Sequence, residues 1–335
     1  MSLAIIAMSG GVDSSVSAFL TKQEGYDIIG ATMILCSDKD VIYAKNVCDN
    51  MGVEHFVLNY RNEFQAKVID KFVNTYKQGE TPSPCIDCNK HMKFEKMIEF
   101  AKKKNAEKVV TGHYAIVEKQ GNKYYLKKAK DKTKDQTYFL YFLNQNTLPY
   151  VSFPLGGLDK SETRKIAEEQ GFANHKKPDS QDICFISDGK LREFLERKIR
   201  LTSGNFINED NSIIAPHSGT EIYTIGQRKG LGVSNSTPLY VKEKRDNDIV
   251  LCDNDSLYSK RLEACDFSLV CDEILDGAMV MAKIRSTGAV QKARFNLIDD
   301  SRFMLEFEEP QRAVAKGQAV VLYDGDYCIG GGAIC

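Results

Sequence analysis

Long apolar runs are missing from this sequence. The 335-residue chain opens Met-Ser-Leu-Ala-Ile-Ile, with no basic stretch ahead of an apolar one. That first run is too short for a signal peptide, and no later one is long enough to span a bilayer. A membrane partner is not expected; a cytoplasmic location is. An excess of either charge is missing too. The formal net charge is −1, so the whole molecule is no polycation that holds nucleic acid indiscriminately, and any such contact has to come from local patches. There is no G-x-x-x-x-G-K-[ST] string, which excludes a Walker phosphate loop. There is no internal repeat or low-complexity segment, which excludes a solenoid, and no zinc-ribbon cysteine pair at either end.

What is there begins with Ser9-Gly10-Gly11-Val12-Asp13-Ser14-Ser15, directly after the apolar run Leu3 to Met8. An apolar run stopped by Ser-Gly-Gly and followed by Val16, Ala18, Phe19 and Leu20 predicts strand, tight loop, helix. Gly10 and Gly11 let backbone N–H groups approach a polyanion at positive φ, and the helix N-terminus adds donors and the positive end of its dipole. Asp13 beside phosphate implies a Mg²⁺ ion between them. The stretch resembles the PP-loop of the N-type ATP pyrophosphatases, which cleave ATP between its α and β phosphates.

The length predicts two or three domains. Strands at 27–35, 53–58 and 108–113 alternate with helices at 40–50, 61–77 and 90–104, which predicts an α/β, mostly parallel sheet with ligands at the carboxyl ends of its strands. Ser161 is placed to cap a helix over 162–170, and another helix is expected over 191–199. From residue 204 onward short strands with Gly and Asp turns predict a small linking module, then a compact β-barrel. The expected boundaries are 1–192, 193–262 and 263–335.

Ten cysteines in a reducing compartment read as thiols, ligands or catalytic groups. Cys36, Cys48, Cys252, Cys265, Cys271, Cys328 and Cys335 lie singly and read as small buried hydrophobes. Cys85 and Cys88, in Thr81-Pro82-Ser83-Pro84-Cys85-Ile86-Asp87-Cys88-Asn89-Lys90, differ. Two prolines predict an extended loop presenting both thiols just before a helix, with pKa values lowered by the helix end, Lys90 and Lys93. Cys184 supplies a third thiol. Three cysteines suit a soft metal or sulfur chemistry better than tetrahedral zinc, which needs a fourth ligand. Lys127, Lys128, Lys130, Lys132 and Lys134 interleave with Tyr124, Tyr125 and Tyr138; this fits either an RNA-binding face or a solvated hairpin.

The ordered set S-G-G-V-D-S-S, T-P-x-P-C-x-x-C-N-K, T-G-H-Y, K-D-Q-[ST]-Y-F-L, K-P-D-S-Q-x-I-C-F and Y-T-I-G-Q-R-K-G-L-G resembles the tRNA-specific 2-thiouridylase (MnmA) family across nearly the whole chain. The resemblance implies a PP-loop ATP pyrophosphatase domain, a central domain and a C-terminal β-barrel that convert the wobble uridine of tRNA to 2-thiouridine. ATP would lie against Ala7, Met8, Ser9, Gly10, Gly11, Val12, Asp13, Ser14, Met33 and Gly112. His113, Lys134, Asp135, Gln136, Arg285, Ser286 and Gln318 would meet tRNA, and Ser83, Pro84 and Cys85 the target base. Cys88 would be the nucleophile and Cys184 the carrier of persulfide sulfur from a donor protein, with Asp13 serving the ATP chemistry. Two sulfur routes stay open: a Cys88–Cys184 disulfide, or a 4Fe-4S cluster on Cys85, Cys88 and Cys184. Many relatives have Asp at Cys85. The barrel motif departs from the family pattern with Lys316 for Pro and Ser286 for Tyr. Another PP-loop tRNA sulfurtransferase or ligase, or a non-catalytic nucleotide-regulated tRNA-binding protein, is the alternative.

Overall fold

The computed structural model describes residues 2–178, 183–186, 189–271 and 274–335. Asp179 to Asp182, part of the Cys184 motif, lie outside them. The first domain carries β1 (Leu3–Ala7), α1 (Val12–Gln23), β2 (Asp27–Ile34), α2 (Val41–Met51), β3 (His55–Asn59), β4 (Lys108–Val110), β5 (Ala115–Gln120), β6 (Lys123–Lys128) and β7 (Val151–Ser152). Five of these strands pair in the order β3-β2-β1-β4-β7, every pairing parallel. The run in β1 is apolar throughout because both faces are covered. Ile5 packs with Phe94, Met97 and Val109 on one side, while Ile6 packs with Val12, Val16 and Val47 on the other. Strand order grows from β1 toward β3 in one direction and toward β7 in the other, so the crevice between β1 and β4 is the switch point where ligands of such sheets bind.

The helical stretch 61–77 forms as expected, with π-type bonding over Gln65–Ile69. The next begins earlier than expected, at Pro84. Proline at the first helical position costs nothing, because the N–H it lacks has no intrahelical partner there. Cys85 and Cys88 therefore stand in the opening turns of a helix, three residues apart and on one face, and not in a preceding extended loop. The 160s helix spans Lys160–Glu169. Its cap is Asp159, not Ser161: the Asp159 N–H donates to Glu162 Oε2 at 2.7 Å, which brings Lys160 into the first turn.

A four-stranded sheet follows, made of β8 (Gly204–Ile207), β9 (Ile213–His217), β10 (Tyr240–Arg245) and β11 (Asp248–Cys252), in the order β10-β11-β8-β9. Then come β12 (Tyr258–Leu269), β13 (Met279–Lys283), β14 (Gln291–Asp299), β15 (Arg302–Arg312), β16 (Ala319–Asp324) and β17 (Tyr327–Ile334). β12 pairs with both β15 and β17, closing a barrel around Phe295, Phe303, Leu305 and Leu322. The 262/263 boundary falls inside β12. The β5–β6 hairpin leaves the first domain and adds to the barrel through β17, with Lys127 opposite Tyr327.

Candidate active site

The loop after β1 is held by its own polar groups. Gly10 has φ +73°, and a Cβ there would lie 2.6 Å from the Asp40 carbonyl oxygen, so no other residue fits. Gly11, by contrast, is extended at φ −90° and caps α1; its positive φ was not needed. Ser14 Oγ donates to the Gly11 carbonyl at 3.0 Å and accepts the Ser9 N–H at 3.2 Å. Asn174, buried, donates to the Gly10 carbonyl at 3.1 Å and to Ser15 Oγ at 3.0 Å. Gly112, after β4, packs so closely that a Cβ would sit 2.8 Å from the Asp13 backbone.

A cleft of about 190 Å³ opens at this junction, lined by Ala7, Met8, Ser9, Asp13, Ser14, Met33, Leu35, Lys93, Gly112, His113 and Gln136 among others. Gly10 and Gly11 shape the loop behind the wall, and Val12 is in the core. Asp13 meets a partner that sequence reasoning missed: Lys160 Nζ lies 2.6 and 2.8 Å from its two carboxylate oxygens, and the Tyr114 hydroxyl donates to it at 3.2 Å. Only the Asp159 cap, which sets the helix start, could have pointed to Lys160. His113 is buried, with Nδ1 2.7 Å from Thr111 Oγ1, and desolvation, aided by Lys93, holds its pKa well below the usual value. It is a neutral wall of the cleft. A larger depression of about 650 Å³ lies in the central domain around Asn205, Arg245 and Asp248, away from every motif above.

Met33 and Leu35, which line the cleft, also pack against the cluster that holds Cys88. Desolvation raises both Cys88 and Cys85, with Lys93 pulling each back down, and it outweighs the lowering expected from the helix end, although the Cys85 residue is itself exposed. Cys88 is 9% exposed, among Phe64, Val68, Phe72 and Met92. Cys184 reaches the surface. So do Cys335 and Cys36, both of which were expected to be buried hydrophobes, as were the half-buried Cys265 and Cys271; Cys36 also meets Cys184. The Cys36 Sγ is 3.5 Å from the Cys184 carbonyl oxygen. The neighbouring Cys184 side chain pulls the Cys36 thiol down to about 6, and Cys36 in turn pushes Cys184 up. A lone cysteine between Leu35 and Ser37 gives no sequence signal of this. Among the described residues, no group of three or more His, Cys, Asp or Glu is arranged to hold a metal ion. Cys85, Cys88 and Cys184 therefore do not present a cluster site in this conformation.

The other expected tRNA residues are largely engaged within the protein. Asp135 accepts the Ala129 N–H at 3.1 Å and the Thr137 hydroxyl at 2.7 Å; Gln136 accepts the Tyr114 N–H at 2.9 Å. The Lys134 N–H bonds the Asp131 carbonyl at 3.1 Å. Arg285 ties the central module to the barrel, donating to the Ile225 carbonyl at 3.2 Å and the Ala313 carbonyl at 2.7 Å, while Ser286 is exposed in a turn. Gln318 donates to the Thr81 and Pro82 carbonyls at 3.1 and 3.2 Å, and the Thr81 N–H donates to the Lys316 carbonyl at 2.8 Å. The barrel thus grips the segment that leads through Ser83 and Pro84 to the Cys85 thiol.

Three family profiles match the chain: the tRNA methyl transferase HUP domain over residues 3–188, the tRNA methyl transferase PRC-barrel domain over 192–253 and the aminomethyltransferase β-barrel domain over 259–334. The tRNA-specific 2-thiouridylase MnmA of Clostridioides difficile is 42% identical over 350 aligned residues, covering 98% of this chain and 97% of that protein. Its counterpart in Clostridium beijerinckii is 42% identical, covering 98% of each. A solved 4-thiouridine synthetase bound to RNA and ATP aligns with 58% of this chain and 50% of its own, at 18% identity and a TM-score of 0.36. With near-complete coverage on both sides and all three profiles in order, the chain belongs to the tRNA-specific 2-thiouridylase (MnmA) family.

Proposed function

We propose that this protein is an enzyme that uses ATP to replace the 2-oxygen of the tRNA wobble uridine with sulfur, through an adenylated uridine and cysteine-bound sulfur. The observation that carries the reading is the segment of β2 and its end, whose Met33 and Leu35 line the cleft at the sheet's switch point and also pack against the cluster that holds Cys88. The uridine 2-carbonyl is a poor electrophile with a poor leaving group. Transfer of AMP to its oxygen turns that oxygen into a good one, and pyrophosphate departs.

The chain's own parts divide this work. The loop after β1 and the N-terminus of α1 offer main-chain donors and a positive dipole end to the phosphates. Asp13 is the carboxylate by which Mg²⁺ would be held, and Mg²⁺ when bound neutralises the departing pyrophosphate; a lone carboxylate fits an ion whose other ligands are phosphates and water. Lys160 holds Asp13 in place through both of its carboxylate oxygens. Cys184, at the surface, accepts sulfur from a persulfide donor protein, and thiol–disulfide exchange then frees it.

The neutral net charge and free thiols favour a cytoplasmic enzyme acting on tRNA through local contacts. No helix among the described residues is long and apolar enough to cross a membrane. Nucleoside mass spectrometry of unmodified tRNA, incubated with the protein, ATP, Mg²⁺ and a persulfide donor, tests the reading. 2-Thiouridine at the first anticodon position is expected. Thiolation elsewhere, or a methylated and unthiolated product, contradicts it.

A further inference from the structure

We propose that Lys93 is a catalytic residue of the adenylation step, the side chain whose ammonium binds the α-phosphate of ATP and stabilises the charge there as AMP passes to the uridine. The inference rests on the thiolation reading above and adds a residue to it. Among the described residues that line the cleft, Lys93 is the single lysine or arginine. Its charge is also uncommitted. It stands on the helix that opens at Pro84, where each carboxylate has a partner of its own: Asp87 pairs with Lys71 at 2.8 Å, Glu95 with His91 at 2.9 Å and Glu99 with Lys96 at 2.9 Å. Asp13, the carboxylate that lines the cleft, is held by Lys160. No carboxylate among the described residues forms an ion pair with Lys93. The groups beside it in the cleft wall, Thr111, His113 and Gln136, carry no negative charge, so an anionic ligand is what its ammonium lacks.

The backbone beneath Lys93 is pinned. Met92 is fully buried in the cluster around Val68 and Phe72, and Phe94 is buried in the cluster around Ile5 and Val109. One turn earlier Asn89 Nδ2 donates to the Phe139 carbonyl at 3.1 Å. The stretch Cys88–Lys96 has π-type bonding. In regular α geometry a residue five positions on points about 140° away, whereas i→i+5 bonding brings it nearly into line. Lys93 therefore follows Cys88 on one side of the helix.

Its place in the fold selects the phosphate. The helix α1, whose N-terminus carries Asp13, covers the Ile6 face of the sheet, and the helix of Lys93 covers the Ile5 face. The two reach the cleft at the end of β1 from opposite faces. The loop and the α1 N-terminus suit the departing pyrophosphate, and Lys93, on the helix that carries Cys88, suits the phosphorus that stays with the uridine. In the step itself the uridine O2 attacks the α-phosphorus. An O2–P bond forms, the bond from that phosphorus to the bridging oxygen breaks, pyrophosphate leaves with the electron pair, and the N3 proton passes to water. A cation already fixed beside the non-bridging oxygens stabilises this transfer without reorganisation.

The test uses the full chain as wild type, Lys93→Met and Lys93→Arg, with thermal unfolding to show that each is folded. Calorimetric titration with AMP, adenosine and pyrophosphate reads the phosphate contact without any turnover. The wild type is expected to prefer AMP to adenosine, and Lys93→Met to lose about tenfold of that preference while keeping its affinity for pyrophosphate. With ATP, Mg²⁺ and unmodified tRNA, kcat for pyrophosphate release by Lys93→Met should fall about a hundredfold or more, with KM for ATP changed far less. Lys93→Arg, which keeps the charge, should keep the AMP preference; its loss in that folded variant overturns the proposal, and this arm decides the matter even if Lys93→Met does not fold. A wild-type AMP preference or a wild-type kcat in Lys93→Met overturns it too, as does an equal loss of AMP and pyrophosphate affinity. A wild-type protein that releases no pyrophosphate when tRNA is added overturns the thiolation reading instead, and the AMP titration still decides whether Lys93 holds the α-phosphate.

Discussion

The cleft between β1 and β4 and the lysine-rich β5–β6 hairpin both carry groups that attract a polyanion, yet they deploy them in opposite ways. In the cleft the attraction comes from backbone, fixed by Gly10, Gly112 and the Asn174 side chain, and the space in front of it is open. In the hairpin the charges are spent inside the molecule. Lys127 pairs with Glu118 at 3.4 Å, Lys130 with Asp159 and Glu162 at 3.1 and 3.0 Å, and Lys132 with Asp326 at 2.9 Å. Lys128 donates to the Gly325 carbonyl at 3.0 Å and stands over the Tyr323 ring. The hairpin is a seam between the first domain and the barrel. A basic side chain binds whatever is nearest, whereas a constrained backbone leaves its donors for a ligand.

The largest effect should come from the cleft. Gly112→Ala forces the Asp13 backbone aside, and ATP-dependent thiolation should fall about a hundredfold, the usual cost of a misplacement near 1 Å; steady-state kinetics would show it. Next is Gln318→Ala, which removes two hydrogen bonds to the segment before Cys85 and should cost about 1 to 3 kcal/mol in denaturant unfolding, with thiouridine per pyrophosphate reduced.

His113 sharpens the contrast through pH. Its folded pKa is depressed by burial, so the unfolded chain binds the extra proton first. Stability should be full above about pH 6.5 and decline as pH falls below it, with a slope of up to about one proton; thermal unfolding of His113→Gln, compared with wild type, should lose that slope. The smallest effect belongs to the hairpin. Lys132→Ala breaks an exposed pair worth about 1 kcal/mol or less, and the salt dependence of tRNA binding should keep its slope. A slope reduced by about one would mean that Lys132 meets a phosphate and is no mere seam.

The order of motifs made the cleft legible, because Ser9 to Ser15 and Gly112 lie where short-range chain geometry decides the outcome. The alternation of strands and helices was legible for the same reason. What could not be read were meetings between distant segments. Lys160 reaches Asp13, Cys36 reaches Cys184 and Gln318 reaches Thr81 only through the fold, and none leaves a local pattern. The helix at Pro84 was misread because a proline that breaks a helix interior is favoured at its first turn. The thiol pKa values were misread because burial opposes a helix-end effect that spacing alone suggests.

The most direct test of the whole account is a count of pyrophosphate against 2-thiouridine, with and without unmodified tRNA, in the presence of ATP and a persulfide donor. The account predicts that pyrophosphate appears only when tRNA is present, in one-to-one step with 2-thiouridine. Pyrophosphate released at the same rate without tRNA, or released with tRNA and no thiouridine formed, would contradict it.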